Sequence, residues 1–219
     1  MPRTESRQHS PSLLLDEAER QFSKRGYAAV TLRDIGQALG LSHASIYYHF
    51  PGGKEELFTA VTRRSIERHG EALKAILDDS RGDIRGQLAG AAHWLLSQEP
   101  LDLIRMEESD MPAIDQDAAK DLSGMLYGKI LLRIQDALQE ADENGEIHCP
   151  HPGLAGNALV GMIESFHAVP PYAIRGSKLE MALEMIDVVL KGLDYRPKAQ
   201  PGNGSPSGQA IPGAGAGNI

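Results

Sequence analysis

The run Thr31-Leu32-Arg33-Asp34-Ile35-Gly36-Gln37-Ala38-Leu39-Gly40-Leu41-Ser42-His43-Ala44-Ser45-Ile46-Tyr47-Tyr48-His49-Phe50 decides the fold. Thr31, followed three residues later by Asp34, reads as a capping box with Asp in place of the usual Glu or Gln. Ile35, Ala38 and Leu39 then fall on one face of a short helix. Gly40 ends that helix in the left-handed conformation glycine adopts most readily. Leu41 is expected to be buried in the turn, and Ser42 to cap a third helix from His43 to His49. Two short helices joined by a glycine-containing turn of three or four residues make a helix-turn-helix.

The pattern extends in both directions. Upstream, a helix is expected from about Ser12 to Lys24, with Leu14, Leu15, Ala18 and Phe22 on one face and Gly26 as its stop. Downstream, Phe50-Pro51-Gly52-Gly53 is a turn, and a long helix runs from about Lys54 to Leu77. Its residues Leu57, Val61, Ile66, Leu73, Ile76 and Leu77 keep helical spacing. Gly70 weakens it by ~1 kcal/mol relative to alanine. Further helices are expected at about 83–98, 100–108, 115–142, 153–169 and 178–193, punctuated by Pro100, Pro112, Pro150, Pro152 and the Pro170-Pro171 pair.

No alternating run of β-branched residues competes with this helical periodicity. The fold class is therefore all-α: an N-terminal three-helix helix-turn-helix domain, then a C-terminal helical-bundle domain. The expected divisions are an arm at 1–11, the helix-turn-helix domain at 12–57, a helical body at 58–195, and a tail at 196–219. The tail is rich in Pro, Gly, Ser and Ala, with almost nothing apolar to bury, and is expected to be disordered, as is the arm.

Composition narrows the function classes. The chain has 219 residues, of which 41% are hydrophobic and 24% charged, enough to bury a core. Its one cysteine, Cys149, excludes an intramolecular disulfide and fits a reducing cytoplasm. The first twelve residues lack the apolar run of a signal peptide. No uncharged apolar stretch reaches the ~18 residues of a membrane span. The expected location is cytoplasmic and nucleoid-associated, with no membrane partner. Net charge is −8, but the segment from Arg20 to Arg64 holds seven basic and three acidic residues, so it carries +4 and the remainder −12. A basic head on an acidic body is compatible with a local nucleic-acid footprint.

Two clusters invite other chemistry. His148-Cys149-Pro150-His151, near Glu146, matches no structural zinc spacing and reads as a loop. Glu107-Glu108-Ser109-Asp110 is densely acidic, but no nucleophile elbow, P-loop or His-x-x-x-His spacing accompanies it. No metal, cofactor or catalysis is expected.

A helix of this size enters the DNA major groove and reads base edges with residues near its N-terminus. That puts His43 and Ala44 nearest the bases, flanked by Ser42 and Ser45. Small side chains at 44 and 45 permit a close approach. His43 can donate to guanine or accept from an exocyclic amine, according to tautomer. Thr31, Tyr47, Tyr48 and His49 carry hydroxyl or imidazole groups suited to phosphate contacts. Lys54 adds a cation at a helix N-terminus, where backbone N–H groups also favour anions.

The same run, together with Lys54-Glu55-Glu56-Leu57, resembles the N-terminal domain of the tetracycline-repressor (TetR) family. That pattern is a Thr-capped second helix, a Gly-Val/Leu-Ser turn (Gly40-Leu41-Ser42 here), a short helix ending in Tyr-x-x-Phe (Tyr47 to Phe50), and Lys-x-x-Leu opening helix four (Lys54 to Leu57). The likeness covers roughly Leu13 to Leu57. Gly36 departs from the family's usual alanine. The resemblance implies phosphate contacts from Thr31, Tyr47, Tyr48 and Lys54. It also implies a homodimer, joined by the last two long helices, on a palindromic operator in double-stranded DNA. Leu154, Leu159, Met162, Ile163 and Phe166 would face the partner from one helix, and Leu179, Leu183, Ile186, Val189, Leu190 and Leu193 from the other. Gly156 and Gly161 would allow close crossing. These faces equally suit an intramolecular core. A pocket for a small, largely apolar molecule is implied among the middle helices, with His93, Trp94, Met106, Met125, Tyr127 and His167 as candidate lining. The implied function is a transcriptional repressor released when that molecule tilts the fourth helix. The alternative is a ligand-binding helical dimer without DNA-binding activity.

Overall fold

The computed structural model describes residues 11–193, and every element among them is helical. The tail expected at 196–219, and the arm expected at 1–11 apart from Pro11, lie outside the described residues. Helix α1 spans Pro11–Ala29. It includes Pro11, one residue before the expected start at Ser12, because a proline in the first turn lacks only an N–H that would have no helical partner there. Gly26 kinks it instead of ending it (φ 77°, ψ 168°), and a short further stretch reaches Ala29.

Helix α2 is Leu32–Leu39 and α3 is His43–His49. Both halves of the capping box form: Asp34 N–H donates to Thr31 Oγ1 at 3.1 Å, and Thr31 N–H donates to the Asp34 carboxylate at 2.9 Å. Gly40 sits in the left-handed region (φ 67°). Helix α4, Gly53–Asp79, runs through the whole molecule. Its N-terminal part gives Leu57, Phe58 and Val61 to a head core built with Leu14, Ala18, Phe22, Ile35 and Ile46. Phe22 and Phe58 meet edge to face at 5.1 Å. Leu41, expected to be buried, is half-buried at the edge of this core beside Leu39.

The rest of α4 gives Ile66, Leu73 and Leu77 to the body core. The body adds α5 (Ile84–Ser97), α6 (Leu103–Arg105), α7 (Gln116–Leu126), α8 (Leu132–Glu143), α9 (Pro152–Ser165) and α10 (Lys178–Leu193). Two of the expected helices are interrupted. The one placed at 100–108 starts only at Leu103, because Asp102 takes a left-handed conformation (φ 46°). It continues as a π-helical turn, Met106–Asp110, and a 3-10 turn, Met111–Ala113. The one placed at 115–142 is two helices joined by a π-helical turn, Tyr127–Leu131. Such turns are locally wider than an α-helix and leave no mark in a 3.6-residue pattern.

Helices α9 and α10 divide the residues expected to face a partner. Leu159, Ile163, Phe166 and Ile186 are buried in the body core, so the intramolecular reading holds for them. Of the expected residues Leu154 is exposed, as are Met185 and Val188 on α10, which lie outside that set.

Candidate nucleic-acid interface

Helix α3 lies on the surface, anchored by one side. Ile46 is fully buried and Phe50 closes the helix against the head core. Ser42 Oγ accepts the Ser45 N–H at 3.2 Å, and the two hydroxyls lie 2.8 Å apart. Ser42, His43, Ala44, Tyr47 and Tyr48 are exposed, while Ser45 and His49 are half-buried. Tyr48 is the most open, at 83%, and Tyr47 is 42% exposed. The His43 and Tyr47 rings lie 4.8 Å apart, so base-reading and phosphate candidates share one face one turn apart.

Thr31 is exposed at the start of α2 with its side chain engaged in the cap. Lys54 is the second residue of α4. Its ammonium lies 4.2 Å over the Tyr27 ring and 3.5 Å from the Ala28 carbonyl. Burial pushes its pKa down, and the Asp110 charge opposes that. The ring under the ammonium favours this placement of the charge.

The charge of the head is less free than its composition implies. Arg20 pairs with Glu17, Lys24 with Glu99, Arg25 with Asp34, Arg63 with Asp121, and Arg64 with Asp16 and Glu19. A count that starts at Arg20 omits Asp16, Glu17 and Glu19, the acids one turn earlier in α1. Among the described residues Arg33 and Lys54 are the basic groups of that segment outside any ion pair. Phosphate affinity would therefore rest on few cations and on neutral donors.

Residues 14–61 match the family model described as bacterial regulatory proteins, tetR family. The chain is 42% identical over 99 residues to the HTH-type transcriptional repressor Rv1474c of Mycobacterium tuberculosis, covering 44% of this chain and 50% of that one. Residues 14–61 are thus a DNA-binding domain of the TetR type. Its matches span between about a third and a half of the curated relatives' own length. The TetR fold also extends over the body. A tetR-family regulatory protein from Rhodococcus RHA1 superposes with a TM-score of 0.68 at 15% identity, covering 85% of this chain and 97% of that one. AibR, solved with isovaleryl coenzyme A and operator DNA, gives a TM-score of 0.68 at 16% identity, covering 82% and 97%.

The six candidate ligand residues of the body are dispersed. His93 is exposed on α5. Trp94 Nε1–H donates to His69 Nδ1 at 3.2 Å. Met106 is buried in the body core. Met125 Sδ receives Arg63 at 3.1 Å on the outer side of α4. Tyr127 is half exposed, with its hydroxyl 3.3 Å from Gln135 Oε1. His167 Nε2 lies 3.2 Å from the Leu95 carbonyl. Of the six, only His167 lines the cleft of about 860 Å³ between α1, α6 and α9.

Sequence reasoning passed over the polar groups around that cleft. Glu164 on α9 is buried, and its carboxylate accepts the Leu101 N–H at 2.9 Å. Burial pushes its pKa up to about 7, against the pull of the backbone N–H groups of Leu101 and Asp102. His69, fully buried, is pushed down to about 4 by burial and by the Arg68 charge. Asp110, read only as part of an acidic cluster, is the buried member of that run. No helix among the described residues is long and apolar enough to cross a membrane. In the His148–His151 loop, Cys149 is buried and its N–H donates to Asp142 at 2.7 Å.

Proposed function

We propose that this chain is a sequence-specific, DNA-binding transcriptional regulator. It acts as a homodimeric repressor, cytoplasmic and associated with the nucleoid, whose operator affinity falls when a small molecule occupies the body. Residues 12–57 are the reader and 58–195 the sensing and dimerisation body. The carrying observation is helix α3, exposed along the face that bears His43, Ala44, Tyr47 and Tyr48 and anchored on the other side by the buried Ile46 and Phe50. A rod so mounted is the size of a major groove. Ser42, His43, Ala44 and Ser45 read base edges. Thr31, Tyr47, Tyr48, His49 and Lys54 hold phosphates.

Several features support the rest of the reading. Leu154 on α9, and Met185 and Val188 on α10, are exposed apolar side chains that a second copy can cover. Two copies are what a pair of half-sites about 34–36 Å apart requires. The relatives matched over the reader are named regulators and repressors, and AibR takes both an acyl thioester and operator DNA on this fold. No catalytic role is assigned to any residue.

The test is fluorescence anisotropy with DNA from upstream of the chain's own gene, across a salt series. The expected result is binding at least a hundredfold tighter than to a scrambled duplex, with two chains per site. Equal affinity for both duplexes would leave a ligand-binding helical dimer without DNA recognition.

A further inference from the structure

We propose that the cleft between α1, α6 and α9 is a binding site for a molecule with an apolar body and a protonated amine, the amine pairing with the Glu164 carboxylate. The cleft holds about 860 Å³, within the range of sites for small organic ligands. Leu96, Pro100, Leu103 and Ile104 supply apolar walls. Glu164 lines it from α9 and is only 8% exposed. One carboxylate oxygen takes the Leu101 N–H at 2.9 Å, and the other, Oε1, has no hydrogen-bond partner. A buried acceptor left without a donor is costly, so a site that supplies the donor on occupation gains that energy back.

The charges around Glu164 decide which donor. Lys24, Arg105 and His167 are the basic side chains on the cleft, and all three are engaged, His167 through Nε2 with the Leu95 carbonyl at 3.2 Å. Lys24 pairs with Glu99, while Arg105 pairs with Asp102 and Asp110 and donates to the Phe22 and Ser23 carbonyls. Glu99, Asp102 and Glu164 all line the cavity, so an entering anion meets three carboxylates and no free cation. An ammonium meets the reverse. It also favours the ionised form of a carboxyl that burial alone disfavours.

The site is wired to the reader. Glu164 holds the Leu101 N–H, and the next residue, Asp102, is the left-handed, non-glycine residue that starts α6. Three residues on, Arg105 grips α1 through the Phe22 and Ser23 carbonyls. An amine that draws Glu164 away from Leu101 therefore loosens the segment that clamps α1. This coupling step, unlike the binding step, rests on the DNA-binding reading.

Calorimetric titration of the full chain with hexylamine, hexan-1-ol and hexanoate at pH 7.5 tests the site without DNA. Hexylamine is expected to bind saturably, at least tenfold tighter than hexan-1-ol, and hexanoate not at all. Glu164→Gln keeps an acceptor for Leu101 and is expected to erase the preference for the amine. Absence of hexylamine binding, or equal affinity for amine and alcohol, overturns the proposal. That comparison needs no variant, so it stands even if Glu164→Gln fails to fold. A soluble, folded variant that keeps the amine preference also overturns it. Amine binding by a chain that recognises no DNA sinks the regulator reading alone. DNA recognition without amine binding sinks this site alone.

Discussion

The backbone N–H of Tyr27 donates to the Asp110 carboxylate at 2.7 Å, across 83 residues of sequence. In an unbroken helix that N–H would bond to the Ser23 carbonyl. The kink at Gly26 separates the two, and the body supplies a substitute for each. Asp110 takes the N–H, and Arg105 donates to the Ser23 carbonyl at 2.9 Å. Arg105 and Asp110 also pair with each other at 3.3 Å. A break in α1 is thus made good by two charged groups from another part of the fold.

Gly26 should resist replacement. Its φ of 77° is one that side-chain-bearing residues rarely adopt, and an added Cβ would lie 3.1 Å from both Asp110 Oδ1 and Arg105 Cδ. Gly26→Ala is expected to cost about 2–3 kcal/mol, combining backbone strain with the loss of the clamp. Asp110→Ala alone leaves the Tyr27 N–H without its acceptor and should cost about 2 kcal/mol. Urea unfolding measures both. In a double-mutant cycle Asp110→Ala and Arg105→Ala should couple by 0.5 kcal/mol or more, about the threshold for residues sharing one network. Strict additivity would mean that the two groups do not act together.

Two reader substitutions should separate positioning from readout. Lys54→Ala removes one phosphate-directed cation and should weaken binding to all duplexes alike, lowering the salt slope by about 1. His43→Ala should leave that slope unchanged while relaxing preference at one base pair by about 1–3 kcal/mol. Anisotropy titrations at several salt concentrations, against a panel of single-base variants, read both effects. A Lys54 variant with an unaltered slope would place the lysine off the phosphate backbone, as a support for Tyr27 only.

The reader was legible because its signals are local. Thr31 and Asp34 cap within one turn, Gly40 needs the left-handed region, and Ser42 caps the next helix, all inside about a dozen residues. The body gave up its helix positions but not its polar interior. Nothing near Glu164 in sequence says that its partner is Leu101, and Asp110 differs from Glu107 and Glu108 only in being buried. Such pairings depend on where distant helices cross, and periodicity carries no term for that. The same limit explains the candidate ligand residues: residue type marks an aromatic, Met or His side chain as a possible pocket lining, and the fold scatters these six over separate faces.

The buried pair His69 and Glu164 should give opposing pH dependences. The folded pKa of His69 lies near 4, below its ordinary value, so between about 4 and 6.5 the unfolded chain holds a proton that the folded chain lacks. Stability from His69 is therefore lost as pH falls through that window. Glu164, raised to about 7, holds a proton in the folded chain that the unfolded one has released. Its contribution is complete below about 4.5 and is lost as pH rises to 7. Each term amounts to about 3 kcal/mol, so the two largely offset each other between pH 4.5 and 6.5. Glu164→Gln removes one of them. The stability of the wild type minus that of the variant should fall by about 3 kcal/mol from pH 4.5 to 7 in urea titrations. A difference independent of pH would show that Glu164 ionises as a solvated carboxyl does.

Gly70 tests whether helix propensity or packing governs α4. On propensity alone, Gly70→Ala should stabilise the chain by ~1 kcal/mol. The π-helical turn Tyr127–Leu131 presses against this point of α4, and an alanine Cβ would stand 2.8 Å from Lys129 Cβ and 3.3 Å from the Lys129 carbonyl oxygen. These atoms belong to the root of a side chain and to backbone, so they cannot swing aside as a side-chain tip would. The expected net result is destabilisation by about 1–2 kcal/mol, as overpacking outweighs the gain in propensity. Because the turn must shift as a unit, Gly128, which has open space around it, is the control. Gly128→Ala should be neutral or stabilising in the same urea titration. If Gly70→Ala stabilises as much as Gly128→Ala, α4 and the turn are not packed as closely as the structure has them.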